Sequence, residues 1–508
     1  MKKIIIITGA FLSAMLFTAK DSDAQYYNNS GDSIFNLPTI HRIDINSPDP
    51  NFWDSLVANF AIDRKILCSL VLDGVQQMDS VGIQLKGNSS YNSMPTNKKS
   101  MKLEFNYVVT GQDWDGLKEV VLNNGFKDPT MIREKLFLDF LNRNFVYAPR
   151  CTYSNVYING TLWGFYTLVE SASANKFLSR HFNDKRGNLF KGDPQGSLQW
   201  FGSAPSSYYS RYELKTNETQ NDWSDLVELI DKVNNTPAST YYDSLETILD
   251  SYSFINCWAA NIVFANLDSY QGSGHNYYAY HDSLTGKFKW ISWDVNEAFG
   301  NFQQMMTVTQ IENMSAFYIS NPQSARPIEQ KMLTNSIYKQ NYVWTLCNMV
   351  TTDFTVAHMN SIIDSLANVI RPYVYADPQK QYPNNQTFED NLTMDYGNIP
   401  GLKPFVANRR AALTTEMAAF GCYLSTNETE LNAELNIFPV PASGSITVEL
   451  PASEKNIAIV VTNMLGEVVM RSDAENTDRF TLDISLLNDG MYTIAVNNSL
   501  FKKMQVLH

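Results

Sequence analysis

Two carboxylates and an amide, in the order Asp268, Asn276, Asp294, are the residues of this chain best placed to do chemistry. They fall within residues 266–300, with the two aspartates at opposite ends of a predicted β-hairpin and the amide between them. Such a set suits phosphoryl transfer. One carboxylate orients the attacking hydroxyl, while the amide and the second carboxylate hold the metal ions that neutralise a triphosphate. Asp268 takes the first role and Asn276 and Asp294 the second, since magnesium prefers carboxylate and phosphate oxygens. A plainer reading of Asp268 stays open, because Asp-Ser-Tyr-Gln-Gly is also good turn chemistry. His275 is a ligand or, equally, a residue that fixes the loop by hydrogen bonds. His275 and His281 flank a predicted strand, a poor arrangement for a zinc pair.

The elements that must position these residues can be read along the chain. Residues 68–72 and 80–86 read as strands, and Gly87-Asn88-Ser89-Ser90 as a turn. In the stretch 98–105, Met101, Leu103 and Phe105 mark a buried strand face and leave Lys102 and Glu104 on the other. A further strand spans 119–122. Asp128-Pro129 then opens a predicted helix through Phe140, with Asp128 as cap. Residues 155–158 and 163–169 flank Asn159-Gly160, the preferred pair for a two-residue type I′ turn. Helical patterns follow at 223–234, 241–265, 354–371 and 402–420. Strands come first and helices later, which is an α+β chain with two lobes. A polar linker at 423–434 leads to short strands regularly spaced beyond it, read as a small antiparallel β-sandwich over 435–508.

Composition narrows the classes. The 508 residues are 44% hydrophobic and 18% charged, enough for two or three folded domains. A net charge of -13 argues against a nucleic-acid partner, which wants a basic face. Lys2 and Lys3 precede an apolar run from Ile4 to Ala19, and small residues follow at 22–24. This reads as an export signal over 1–24 with maturation near Gln25; a membrane anchor is the alternative, for which the run is short. No other stretch is long enough to span, so the mature chain has no expected transmembrane segment. The five cysteines are far apart and contain no Cys-x-x-Cys pair. Export permits disulfides, but the apolar helical patterns around Cys257 and Cys347 favour reduced, buried thiols.

These motifs together resemble the spore coat protein H (CotH) kinase family, a secreted branch of the protein-kinase-like fold. The resemblance is carried by Val81 through Ser90, the strand 98–105, the stretch from Asn159-Gly160 to Leu168-Val169-Glu170, Tyr212-Glu213-Leu214-Lys215, and the 266–300 block. It implies a kinase-like domain over 38–422. The C-terminal region resembles the sorting domain of type IX secretion cargo in Bacteroidetes, on Asn436-Ile437-Phe438-Pro439-Val440-Pro441, Gly444 and the stretch 486–492. Val440 stands where that family usually has Asn. The resemblance implies contact with the type IX machinery, passage via the periplasm, then release or surface attachment. A carbohydrate-binding sandwich is the alternative for this region.

The kinase resemblance implies ATP with Mg2+ or Mn2+, and a protein or surface acceptor bearing a hydroxyl. Lys102 is the expected phosphate lysine, with Lys86, Lys98 and Lys99 as rivals. Gly87, Asn88 and Ser89 would cover the phosphates with backbone amides. Glu134 is a possible partner for the lysine. Glu170, where the lobes should meet, would contact the adenine through backbone groups. One position departs from the pattern. The family usually shows Trp-Asp-x-Asp, and here the fourth residue is Asn296, which weakens cation binding unless Glu297 substitutes. The rival expectation is a non-catalytic kinase-like scaffold or glycan-attachment protein, favoured by an exposed aromatic row such as Trp200, Tyr208 and Tyr209.

Overall fold

Alternating apolar residues close the first part of the chain into a seven-stranded barrel. Its strands are β1 (Ile40–Asn46), β2 (Ile66–Leu72), β3 (Gln76–Lys86), β4 (Ser100–Glu104), β5 (Glu119–Asn123), β6 (Cys151–Ile158) and β7 (Thr161–Glu170). Their order is β1-β2-β3-β4-β5-β7-β6, and a parallel β1–β6 pairing completes the ring. Ile43, Leu70, Ile83, Leu103 and Val120 fill its interior, as the period-2 pattern requires. Asn159 and Gly160 turn β6 into β7 with positive φ at both (48° and 78°), the type I′ geometry that the Asn-Gly pair favours. The coordinates are a computed structural model that describes residues 29–36, 39–182, 185–422, 435–463, 468–487, 490–496 and 500–506. The expected export signal at 1–24 and the linker at 423–434 lie outside the described residues.

One outer face of the barrel matters for function. Lys102 pairs with Gln84 and Val121, and Lys86 with Ser100, so antiparallel register puts Lys86, Lys102, Val121 and Asn123 on a common face. Val121 belongs to a second apolar core, so this face looks toward the helix-rich region. That region holds β8 (Asn188–Gly192), β9 (Tyr212–Leu214), β10 (Tyr277–Asp282) and β11 (Lys287–Ser292) in the order β11-β10-β8-β9. Helices Ser224–Asn235, Ser251–Val263, Ser336–Thr352, Val356–Ala376 and Leu402–Met417 belong to the same region.

Two helices begin elsewhere than their sequence signals predict. The pattern at 241–265 divides into Tyr241–Leu245 and Ser251–Val263. Between them Ile248 and Asp250 exchange backbone hydrogen bonds with Phe288 (2.7 and 2.9 Å), so the chain joins β11 there instead of coiling. Asp250 then caps the second helix by accepting from the Ser253 N–H. The helix expected from Asp128 begins at Arg133. Asp128 spends its oxygens on Thr130 and on Arg133, and Met131 takes a left-handed φ of 59°, so the first turn stays irregular.

Buried ion pairs tie the helical region back to the barrel. Lys98 meets Asp377 at 2.6 Å with both side chains 1% exposed. Asp377 also accepts from the Phe165 and Gln379 N–H groups, which satisfies its remaining lone pairs. Arg133 pairs with Asp128 at 2.5 Å and reaches Asn391 and the Pro400 carbonyl.

Beyond residue 434 a separate antiparallel sheet has its own apolar core, with Ile446, Val448, Ile459, Val461 and Ile494. Its strands are β12 (Asn436–Phe438), β13 (Ser445–Asn463), β14 (Val468–Asp483), β15 (Gly490–Val496) and β16 (Leu500–Val506). They run β12-β13-β15-β16, with β14 also on β13. The expected pairs 445–450 with 456–463, and 466–471 with 479–484, are here two long strands. Their ladder shifts register between Glu449 and Glu454 and then resumes. No helix among the described residues is long and apolar enough to cross a membrane.

Candidate functional site

The β10–β11 hairpin gathers the three singled-out residues at its open end. Tyr277 pairs with Ser292, and the Trp293 N–H donates to the Asn276 carbonyl at 3.2 Å, so Asn276 and Asp294 emerge side by side. The loop from helix Ser251–Val263 folds Asp268 back onto them. This loop is tight: a Cβ on Gly272 would lie 1.9 Å from the Leu267 carbonyl oxygen. The Asn276 amide donates to the Asp268 carbonyl (2.9 Å) and to its Oδ2 (3.1 Å). His275 Nε2 lies 2.7 Å from Asp268 Oδ1, and Ser273 Oγ adds a bond at 3.2 Å. His275 is therefore a partner of Asp268. Burial alone would lower its pKa; the Asp268 hydrogen bond and the charges of Asp268, Asp193 and Asp294 raise it on balance.

Asn276 and Asp294 both adopt left-handed backbone (φ 57° and 51°), which Asn and Asp tolerate better than other non-glycine residues. The Asn276 amide nitrogen is committed to Asp268, leaving Oδ1 as the atom for a cation. Among the described residues no hydrogen bond or ion pair holds the Asp294 carboxylate.

Facing them is a group that sequence reasoning left among the rivals. Lys86, the last residue of β3, donates to Asn123 Oδ1 at 3.2 Å and sits 5.2 Å over the Trp293 ring. Asn123 donates in turn to Glu134 Oε1 at 2.6 Å, and Glu134 Oε2 is buried with no partner. Burial, and next the charge of Asp294, push the Glu134 carboxyl up to about 8. Burial lowers the Lys86 pKa against the pull of Asp294 and Glu134. A lysine, a glutamate and a metal-type aspartate thus feel one another here. Lys102 lies on the same face but is engaged with Glu119 at 2.9 Å. Their partners distinguish the two lysines: Asn123, bonded in turn to Glu134, holds Lys86, whereas Glu119 holds Lys102.

The remaining expected residues are placed as follows. Gly87 follows Lys86 with a φ of 97° and leads into the short turn of helix Ser89–Asn92, where Asn88 and Ser89 are exposed. The Glu170 side chain is buried and pairs with Arg150 (3.0 Å) and Arg180 (2.5 Å), and its N–H donates to the Arg150 carbonyl. It is an ion-pair hub. Asn296 turns to the Phe126 carbonyl (3.3 Å), while Glu297 pairs with Lys127 at 2.9 Å. Burial and the charge of Asp268 lift the Glu297 carboxyl to about 7, against the pull of Lys127, and Asp294 adds to the rise. The aromatic row does not form: Tyr208 is fully buried, and half-exposed Tyr209 packs on Trp223.

Fit to a divalent cation can be judged from the donors. Among the described residues no three His, Cys, Asp or Glu converge on a metal position. A cation here would take Asn276 Oδ1 and Asp294, with phosphate and water completing its shell, the habit of magnesium at phosphate sites. Two cavities, of about 750 and 310 Å³, lie elsewhere, one beside Glu312 and Glu416 and one beside Arg150 and Cys151. Other lysines of the region are ion-paired, as Lys102–Glu119, Lys127–Glu297 and Lys191–Asp193 show.

The hairpin end thus brings an acid, an amide and a second acid together, with Lys86 and Glu134 within electrostatic reach of Asp294. The pattern of the family described as CotH kinase protein matches residues 83–413, and the chain belongs to this family. A secretion system C-terminal sorting domain matches residues 436–507, the kind carried by type IX secretion cargo. Among curated relatives, Inner spore coat protein H of Bacillus subtilis is 28% identical over 289 residues, covering 56% of this chain and 75% of that protein. Invasin CotH2 of Rhizopus delemar is 24% identical over 208 residues, covering 39% of this chain and 35% of that one.

The loop bearing Asp268 packs near a buried acid whose titration should show in stability. Glu329 is fully buried near Arg326, whose guanidinium donates to the Gly272 carbonyl. Burial raises the Glu329 carboxyl to about 8, against the opposing charge of Arg326. The unfolded chain releases this proton near the ordinary value of 4.5, so between there and about 8 the folded state binds more protons. Stability should therefore fall as pH rises through that window, with Glu134 and Glu297 acting in the same direction. Glu329→Gln should flatten the fall, read as urea midpoints from pH 5 to 8. An unchanged slope would refute the assignment.

Proposed function

We propose that the protein is a secreted phosphotransferase with a two-lobed, kinase-like catalytic domain, moving the γ-phosphoryl of ATP to a hydroxyl on a protein or surface acceptor. The observation that carries this is the meeting of Asp268, Asn276 and Asp294 at one hairpin end, opposite Lys86, Asn123 and Glu134. Mg2+ or Mn2+, held by Asn276 and Asp294, would supply charge neutralisation on the phosphates. Asp268 accepts the hydrogen bond of the acceptor hydroxyl and aims its oxygen. Its neighbour His275 holds that carboxylate by a hydrogen bond at 2.7 Å and orients it. Lys86 places positive charge on the nucleotide phosphates, and Asn123 holds its ammonium in register with Glu134. The C-terminal domain, read as a sorting sandwich, takes the chain through the periplasm and across the outer membrane.

Transfer of label from γ-labelled ATP to a serine-rich acceptor protein tests the reading. Asp268→Asn should lower transfer by about 10²–10⁴-fold, the range for loss of a positioned acid–base group. Lys86→Met should cost far more activity than Lys102→Met; equal losses would reject Lys86 as the phosphate lysine. The rival is a non-catalytic scaffold, favoured by the ion-paired lysines Lys102 and Lys127 and by Asn296. Wild-type protein that binds nucleotide but transfers no label would select it.

A further inference from the structure

Five cysteines are spread over the chain, and sequence spacing pairs none of them. All five thiols are free in this structure, and Cys68, Cys151 and Cys257 are buried apart in the cores. Cys347 and Cys422 behave differently. Cys347 lies on helix Ser336–Thr352, half-buried, so an oxidant can reach it. Helix Leu402–Met417 packs on that helix, and the chain then makes a short turn in which Gly421 takes a left-handed φ of 81°. This turn folds Cys422 back toward Met417, whose carbonyl accepts its N–H at 3.3 Å. The two side chains, 75 positions apart in sequence (422 less 347), are hydrogen-bonded thiol to thiol.

We propose that Cys347 and Cys422 form a disulfide in the exported protein, fastening the end of the kinase-like domain to its helical core. The proposal takes its oxidising surroundings from the secretion reading, since disulfides persist outside the cytoplasm and not within it. Its chemistry is thiol–disulfide exchange with a dithiol oxidoreductase or oxidised glutathione as the electron acceptor. The Cys347 sulfur, the more accessible of the two, attacks one sulfur of the donor disulfide, and the donor's other sulfur leaves with a proton. The Cys422 sulfur then displaces the donor from the mixed disulfide, and its proton goes to the second donor thiol. Two hydrogens leave the protein and two reduce the donor. The hydrogen bond between the pair lowers the Cys422 pKa, which suits Cys422 to the displacement that closes the bond. Because Cys422 lies shortly after helix Leu402–Met417, the cross-link anchors the end of that helix.

The test uses the purified full-length protein, first fully reduced and then equilibrated with oxidised and reduced glutathione. Free thiols are alkylated in urea, and peptides are mapped without reduction. The expected product is one cross-linked peptide pair containing Cys347 and Cys422, two hydrogens lighter than the free peptides. Cys68, Cys151 and Cys257 should carry the alkyl group. Oxidised protein should melt about 5 °C above reduced protein, as expected for closing a long loop in a large domain, and Cys347→Ser should abolish the difference. Alkylation of both Cys347 and Cys422, or separate glutathione adducts on each, would overturn the pairing. This result is independent of export and of catalysis. The same map on protein collected from the cell surface addresses the secretion reading: a closed pair in vitro with free thiols there would fault that reading and leave the geometry standing.

Discussion

Asp294→Asn is expected to leave the protein folded and to lower phosphoryl transfer by about three orders of magnitude or more, the scale for losing a charge that acts in the transition state. The substitution suits the site for a backbone reason. Asp294 sits at φ 51°, a conformation that asparagine adopts readily, so the change removes charge without forcing the hairpin end to move. The charge it removes is the one that both Lys86 and Glu134 feel. Without it the Glu134 carboxyl should titrate at lower pH, since Asp294 follows burial as the cause of its rise. Transfer assays beside circular dichroism separate lost chemistry from lost fold. Activity within tenfold of wild type would remove Asp294 from the mechanism.

Arg133→Ala is expected to be the most destabilising of these substitutions, by about 3–5 kcal/mol, the cost of leaving one member of a buried ion pair uncompensated. Arg133 is fully buried, and its loss strands Asp128, Asn391 and the Pro400 carbonyl together. Since Asp128 also shapes the entry to the helix bearing Glu134, activity should fall with stability. Arg42→Ala is the control. Its pair with Asp44 at 2.7 Å is half-exposed, and such pairs contribute below about 1 kcal/mol. Denaturant midpoints measure both; a loss at Arg133 no larger than at Arg42 would contradict the account.

Much of the site was legible because its signals are local. Asp268, Asn276 and Asp294 flank one hairpin, and hairpin pairing is read from alternation and turn residues within a few positions. The turn at Asn159-Gly160 and the buried face of Met101, Leu103 and Phe105 were legible for the same reason. The lysine proposed for the phosphates was not. Lys86 and Lys102 share a sheet face and differ in their tertiary partners, Asn123 with Glu134 for the one and Glu119 for the other. No periodicity carries that difference. The break at residues 248–250 escaped likewise, because its cause is a bridge to Phe288. Glu297 is legible as the acid beside Asn296 that could substitute for the missing charge, but its pairing with Lys127 is purely tertiary.

Thermal unfolding of the full-length protein with and without ATP and Mn2+, beside the Asp294→Ala variant, tests the central claim most directly. Ligand that binds the native state alone adds about 2.7 kcal/mol of stability at a hundredfold excess over its Kd. The account predicts a clear rise in Tm for the wild type that needs both nucleotide and metal and is lost in the variant. A folded wild type whose Tm ignores ATP with either Mn2+ or Mg2+ would contradict it.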